Sequence, residues 1–309
     1  MRRFLLLWLI AAVLPASGQQ KKVCISVDDL PVVSYGIQDT VFRKALINKL
    51  IASLKKNDIP AIGFVNEQQL YEDGHPDLFR LSLIKSWVDN GLDLGNHTFS
   101  HPDYNKISYE EYTQDIIKGE TLTKPILESR GRSLKYFRHP YLHVGDTKAK
   151  ADSLAGFLSR RGYTVAPVTI DNEDYLFALA YHRAKAKNDT ALALRIGHDY
   201  LAYMERKALY FERQAGRLFG RDISQILLIH ASRLNADYID SLAMVFRKNG
   251  YVFVSMDQAL HDEAYQTEVT VYGAWGISWM DRWALSQGKK RDFFTDDPET
   301  PEYIHKLAE

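Results

Sequence analysis

The chain has 309 residues, of which 46% are hydrophobic, and its 39 basic side chains balance its 39 acidic ones. This balance gives no indication of a nucleic-acid partner, and the presence of one cysteine, Cys24, excludes an internal disulfide. The fold must therefore rest on a hydrophobic core, which a chain of this length and composition can build in a single domain.

The first residues predict an exported protein. Arg2 and Arg3 precede an apolar run, residues 4–14, and small residues follow it up to Gly18. This order is typical of a secretory signal peptide, here residues 1–18. Because about 20 apolar residues are needed to span a bilayer, the shorter run argues against a stable membrane anchor. We therefore expect a periplasmic or secreted protein.

Strand-like and helix-like segments alternate along most of the chain. Amphipathic patterns predict helices at residues 41–56 and 78–90, and Ser108 with Glu111 predicts a capping box that opens a helix running towards Ser129. The strand-like segments are residues 23–27, 61–65, 136–138, 164–170, 226–229 and 251–255. This order predicts a parallel, barrel-like α/β domain.

Two regions depart from this alternation. Residues 176–219 are helical in composition and are broken at Asn188, so they form either a hairpin beside the functional site or helices that cover barrel strands. Their apolar positions favour the second interpretation. The C-terminal extension, residues 266–309, contains three tryptophans that could stack on sugar rings or pack in a core, and packing is the more common role. These are Trp275, Trp279 and Trp283.

A pair of histidines is the first candidate for chemistry. His97 and His101 are four residues apart, a spacing that allows both imidazoles to bind one ion. Thr98 excludes the zinc-protease pattern, which needs glutamate at that position. Two buried or solvated histidines without a ligand remain the alternative. The pair follows a strand end and precedes a proline, which favours a site loop.

Two adjacent acids end the first strand-like segment. Asp28 and Asp29 lie where α/β barrels place functional side chains, and one carboxylate with two histidines leaves room on a metal for water and substrate. Successive strand residues point in opposite directions, so we expect one acid to reach the ion and the other to serve a different role. A turn or helix cap ahead of Pro31 is the alternative.

Three further candidates follow other strand segments. Arg138 begins a short polar segment that ends at Tyr141, and His230 follows the most apolar strand. Asp171 and Asp174 come just after the segment that ends at Ile170, where either could orient such a histidine. A histidine at a buried strand end is also compatible with a purely structural role.

The order of these motifs, from Ser26 to His230, resembles that of the polysaccharide deacetylase family with NodB homology. Residues 26–29 are similar to its T-F-D-D motif, residues 97–101 match H-[ST]-x-x-H, and residues 138–141 match R-x-P-Y. Residues 171–175 are similar to D-x-x-D-W, with Tyr175 in place of tryptophan. His230 lies where the family has its general acid, although Ala231 replaces a polar residue often found next to it.

The resemblance implies a role for each candidate. Two histidines and one acid would hold a divalent ion, with zinc favoured and cobalt, nickel, manganese or iron as alternatives; these ligands are Asp29, His97 and His101. The catalytic residues that it implies are Asp28 as base, Arg138 holding that base, Tyr141 binding the oxyanion through its N–H, and His230 as acid oriented by Asp171. The expected substrate contacts are Tyr141, Pro140 and Tyr175.

The resemblance also implies a fold and an activity. The expected fold is a distorted (β/α) barrel of about seven units, with a helical insertion at residues 176–219 and an irregular C-terminal tail. Residues 19–265 would form the catalytic domain and residues 266–309 an extension packed on it. The expected activity is metal-dependent removal of acetyl groups from an N-acetyl amino sugar or an O-acetylated glycan. A non-catalytic sugar-binding relative is the alternative, although no base or ligand is missing. An iron oxygenase would leave Arg138 and His230 without a role, and the oligomeric state stays open.

Overall fold

Strand β1 is the longest strand of a parallel sheet. The structure, a computed structural model, describes residues 20–309, so the predicted signal peptide at residues 1–18 lies outside the described residues. The strands are β1 Lys21–Val33, β2 Ile62–Val65, β3 Tyr71–Glu72, β4 His75–Pro76, β5 Asp93–Asn96, β6 Tyr136–Phe137, β7 Thr164–Val165, β8 Gln225–Ser232 and β9 Tyr251–Phe253. The main sheet has the order β7-β6-β5-β2-β1-β8, with β9 also paired to β1, while β3 and β4 form a small antiparallel hairpin.

The main sheet curls into a distorted barrel. Every strand pair in it is parallel. A parallel bridge between Ile170 and Leu227 joins the segment after β7 to β8, which brings the two ends of the sheet together. The predicted parallel, barrel-like α/β fold is therefore confirmed.

Alternation along β1 separates the barrel interior from the layer of helices. Val23, Ile25 and Val27 belong to the large core between strands and helices, whereas Cys24 packs inside the barrel with residues of β2, β6 and β8. Burial on both faces is what a parallel strand requires. Burial also raises the pKa of the Cys24 thiol, as is typical of a small buried side chain and not of a nucleophile.

The helices surround this sheet. They are α1 Thr40–Lys56, α2 Leu78–Asp89, α3 Tyr109–Lys118, α4 Thr123–Glu128, α5 Lys148–Arg160, α6 Asp174–Ala186, α7 Thr190–Phe219, α8 Arg233–Lys248, α9 Met256–Leu260, α10 Trp279–Ser286 and α11 Glu302–Ala308. Within residues 20–309, none of them is both long enough and apolar enough to cross a bilayer.

The predicted helix after Ser108 begins as expected but ends early. Ser108 and Glu111 form the capping box that opens α3. The helix stops at Lys118, and α4 follows separately, instead of one helix running to Ser129. At the break, a side chain on Gly119 would come within 2.8 Å of the Thr98 backbone, so the helix end lies directly against the histidine loop.

The helical insertion forms two helices, as its sequence predicts. The break at Asn188 separates α6 from α7, and both helices bury large side chains in the main core, including Phe177, Tyr200 and Met204. These contacts indicate that the principal role of the two helices is to cover barrel strands. Helix α6 also contributes Tyr175 and Leu179 to the cavity described below.

The C-terminal extension contacts the barrel through α10. The backbone N–H of Trp279 donates to the Val168 carbonyl at 2.7 Å, and the side chains of Trp279 and Trp283 are buried. These two tryptophans pack instead of offering a surface to a sugar. Trp275 remains 38% exposed.

We expect Trp87→Ala to lower the free energy of unfolding by about 3–5 kcal/mol, because it would leave a cavity beneath α2. The Trp87 side chain is fully buried, and its indole N–H donates to the Asp93 carbonyl at 2.8 Å. Denaturant unfolding would measure the loss. Leu78→Ala on the same helix is the control, since Leu78 is 81% exposed and should lose little. Similar losses in both variants would contradict the assigned core.

Candidate active site

The carboxyl ends of the strands meet at one cavity. It has a volume of about 670 Å³ and is lined by the acids at the end of β1, the two loop histidines, Tyr141, Asp171, Tyr175 and His230. Sequence analysis placed each of these residues at a strand end, and the parallel sheet brings them together. Pro140, a predicted substrate contact, is buried and does not line the cavity.

The two acids do not follow simple strand alternation. The register of β1 shifts between Val27 and Leu30, and Asp29 has a φ of 62°, in the left-handed region. This local irregularity directs both Asp28 and Asp29 to the cavity. A bulge at a strand end is a common way to redirect a side chain next to a functional site.

A candidate metal site forms around Asp29. One potential ligand atom from each of Asp29, His97 and His101 lies within 4.8 Å of the others. The Asp29 Oδ1 atom is 3.8 Å from His97 Nε2 and 3.9 Å from His101 Nε2, and this buried oxygen has no hydrogen-bond partner among the described residues. A buried carboxylate oxygen without a partner is unfavourable unless a cation or water binds it, so the donor set fits a divalent ion.

The protonation of the histidines suits this role. His97 Nδ1 lies 2.9 Å from the Arg138 carbonyl, which can only accept, so Nδ1 carries the proton and the lone pair of Nε2 is free to bind an ion. Burial lowers the pKa of His97 well below its usual value and also lowers the pKa of His101. Both imidazoles are therefore neutral near pH 7, the form that binds metals.

The histidine loop is held by side chains that sequence analysis did not identify. The Asn96 side chain accepts from Thr98 N–H at 2.7 Å, and Asp115 of α3 accepts from the backbone N–H groups of Phe99 and Ser100 at 2.8 and 2.9 Å. These bonds fix a loop, in which Thr98 and His101 have positive φ, in place of a helical turn. Asp115 lies on the polar side of a predicted helix, and its sequence gives no sign of this role.

Asp28 is buried beside Arg138. The Arg138 Nη1 atom lies 3.3 Å from Asp28 Oδ2, and its Nη2 donates to Ser26 at 2.9 Å. Burial raises the pKa of the Asp28 carboxyl to about 6, and the positive charge of Arg138 opposes a larger rise. A carboxylate with a pKa near the working pH is well suited to accept a proton.

His230 is oriented by Asp174 and not by Asp171. His230 Nδ1 lies 2.7 Å from Asp174 Oδ1, while Asp174 Oδ2 accepts from the backbone N–H of His230 at 2.9 Å. Asp174 is the first residue of α6 and is fully buried against the end of β8. Against the effect of burial, the Asp174 carboxylate raises the pKa of His230 to about 10. The predicted orienting role of Asp171 is therefore wrong.

Asp171 has different neighbours. Its carboxylate accepts from the Asn172 N–H at 2.9 Å. Burial raises its pKa to about 7, with the positive charge of Lys207 acting in the opposite direction.

Two further residues that sequence analysis missed complete the hydrogen-bond network of Asp174. Asn235 donates to Asp174 at 2.7 Å and itself accepts from the Tyr200 hydroxyl at 2.6 Å.

Aromatic side chains form the rim of the cavity. Tyr141 is 54% exposed with its ring centroid 4.5 Å from that of His101, and Tyr175 is 48% exposed at 6.3 Å from His230. These two residues, predicted as substrate contacts, therefore line the cavity beside different histidines, Tyr141 next to His101 and Tyr175 next to His230. His139 and Gly276 also line the cavity and were not predicted.

The chain is similar to known proteins in both sequence and fold. Residues 16–159 match the family described as polysaccharide deacetylase. The chain is 31% identical over 130 residues to a chitin deacetylase of Colletotrichum lindemuthianum, covering 41% of this chain and 47% of that protein. It is 24% identical over 127 residues to a peptidoglycan-N-acetylglucosamine deacetylase of Bacillus cereus, covering 41% of this chain and 40% of that protein. It thus spans less than half the length of these two relatives.

A solved structure supports the same comparison at the level of fold. A mutant of a peptidoglycan deacetylase from Bacillus subtilis superposes with a TM-score of 0.50 and 20% identity, covering 79% of this chain and 91% of that one. At this identity the match shows a shared fold alone.

Proposed function

We propose that the chain is a metal-dependent hydrolase of the polysaccharide deacetylase family that removes acetyl groups from a carbohydrate. The match of residues 16–159 to that family and the similarity to two deacetylases support this proposal. One observation carries this proposal. The candidate ligands Asp29, His97 and His101 share a cavity with a buried acid, Asp28, and with His230. A hydrolase needs such a base and such an acid on either side of the bond that it cleaves.

The ligand set that we propose consists of Asp29, His97 and His101. Two neutral imidazoles and one carboxylate suit zinc, and cobalt, nickel, manganese or iron would also accept them. Once bound, a divalent ion lowers the pKa of water and polarises an acetyl carbonyl.

The remaining roles belong to side chains and backbone groups around the ligands. Asp28, held by Arg138, accepts the proton of the attacking water. The backbone N–H of Tyr141 donates to the oxygen that gains negative charge, an interaction typically worth about 3 kcal/mol. His230 Nε2 lies 4.0 Å from Asp29 Oδ2, so it faces the cavity and protonates the departing amine or alkoxide. Asp174 keeps the proton on Nδ1 in place and so orients the ring.

The substrate that we propose is an N-acetyl amino sugar or an O-acetylated glycan outside the cytoplasm. Tyr141 and Tyr175 offer the exposed aromatic faces on which sugar rings stack. Acetate release from chitin oligomers, acetylated peptidoglycan and acetylated xylan tests the substrate class. Release from at least one of the three is expected. The absence of release from all three by metal-loaded protein would contradict the proposal.

We expect Asp174→Asn to lower turnover by roughly 10²-fold or more, because an amide lacks the negative charge with which the Asp174 carboxylate stabilises protonated His230. Asp171→Asn is the matched control and should lose much less, since Asp171 does not contact His230. Acetate release and thermal unfolding would be measured on both variants. A larger loss of turnover in Asp171→Asn than in Asp174→Asn would show that the assignment of Asp174 is mistaken.

A further inference from the structure

The turn that carries Tyr141 has an unusual backbone. Tyr141 and Leu142 both have a φ of 55°, which lies in the left-handed region. Two consecutive residues other than glycine rarely adopt this conformation, and they hold it when surrounding contacts fix them. The contacts made by this turn therefore decide where the Tyr141 N–H points.

Two contacts come from the C-terminal extension. The Arg282 Nη2 atom donates to the Leu142 carbonyl at 2.8 Å and to the Trp275 carbonyl at 3.2 Å, so one guanidinium joins the turn to the extension. Gly276 lies directly against the turn, because a Cβ at this position would be 1.9 Å from the Tyr141 carbonyl oxygen. Only glycine fits there without moving one of the two segments.

The extension is itself anchored to the barrel at this point. The backbone N–H of Trp279 donates to the Val168 carbonyl at 2.7 Å, and the Trp279 indole stacks on His139 with ring centroids 6.2 Å apart. Arg282 is 1% exposed and lies over the same indole. A charged donor buried in this way makes strong, well-oriented hydrogen bonds. The contact with Leu142 therefore links the turn to a fixed part of the barrel.

We propose that Arg282 and Gly276 are positioning residues, which hold the turn so that the Tyr141 N–H faces the reacting carbonyl. This inference rests on the proposed deacetylase function. It assigns the C-terminal extension, outside the region that matches the family, a part in catalysis. A misplacement of about 1 Å in a group that binds the transition state can cost roughly 10²-fold in rate.

Two substitutions test the proposal on the full-length, metal-loaded protein. Gly276→Ala should push the turn away, and Arg282→Leu should release the Leu142 carbonyl. In both, kcat for acetate release should fall by roughly tenfold or more, with KM and metal content little changed. Arg282→Lys keeps a cationic donor and should recover part of the loss.

The controls are chosen on similar residues away from the turn. Gly216→Ala introduces a methyl group into open space on α7. Arg217→Leu removes another guanidinium that bonds the extension, at the Phe293 carbonyl. Both controls should keep the parent kcat.

Hydrogen exchange supplies a readout that does not depend on activity. Amide exchange in residues 139–143 should rise in Gly276→Ala and Arg282→Leu while the rest of the barrel stays protected. Unchanged exchange and kcat in these folded variants would overturn the proposal, and so would a uniform rise across the molecule. If exchange rises locally in the two variants but the parent protein itself releases no acetate, the proposed function is refuted and the contact itself is supported.

Discussion

Replacing Asp28 with Asn is expected to reduce acetate release by roughly 10²-fold or more while the metal stays bound. The amide keeps the size of the side chain and its contact with Arg138, but it cannot take a proton from water. Asp28 is buried, and its pKa of about 6 leaves it largely ionised at pH 7, as a base must be. Turnover and metal content would be measured on the same preparation.

Ser26→Ala is a useful companion variant. Ser26 accepts from the same guanidinium at 2.9 Å but does not line the cavity. We expect a modest loss of turnover in Ser26→Ala and a large loss in Asp28→Asn. This difference would show that Asp28 acts as the base and does not merely help to hold Arg138 in place. If Asp28→Asn keeps its turnover, the proposed mechanism is wrong.

Replacing Asp29 with Asn should have a different signature, because metal occupancy and turnover should fall together. Asp29 Oδ1 lies between His97 and His101 and has no hydrogen-bond partner within the described residues 20–309. Removing its charge weakens the attraction for a cation and leaves two neutral imidazoles. The parent is expected to hold about one divalent ion per chain, which elemental analysis would measure.

His101→Ala should repeat the result of Asp29→Asn, since it removes another ligand from the same set. The opposite pattern, in which Asp28→Asn loses the metal and Asp29→Asn retains it, would reverse the two roles. Equal and small effects in both would support the alternative that these acids only form a turn ahead of Pro31.

The barrel arrangement could be predicted from sequence because strand ends and helix ends are marked by short, local residue patterns. The end of each strand segment is marked by a change from apolar to polar residues, and parallel strands bring such ends to one edge. This is why residues as distant as Asp28, His97 and His230 could be predicted to share a site. The capping box at Ser108 and the break at Asn188 are local signals of the same kind.

The orientation of His230 could not be read from spacing. Asp171 and Asp174 both follow the segment ending at Ile170, and either could reach a histidine on β8. The choice depends on where α6 begins, because its first residue, Asp174, points back to the end of β8. Likewise, the left-handed backbone of Asp29 directs its side chain against the expected strand alternation.

The contribution of the C-terminal extension was also beyond sequence reasoning. Arg282 contacts Leu142 across 140 residues of chain, and no local pattern predicts such a contact. Of the three tryptophans in this region, Trp279 and Trp283 are buried. The contacts that lie nearest the proposed chemistry come instead from an arginine and a glycine.

The most direct test of the account is acetate release from an N-acetylglucosamine oligomer by the protein before and after removal of metal. We expect release by the metal-loaded protein, its loss after treatment with a chelator and dialysis, and its return when about one equivalent of zinc or cobalt is added back. Undiminished release by protein shown to be metal-free would contradict the proposal that Asp29, His97 and His101 hold a catalytic ion.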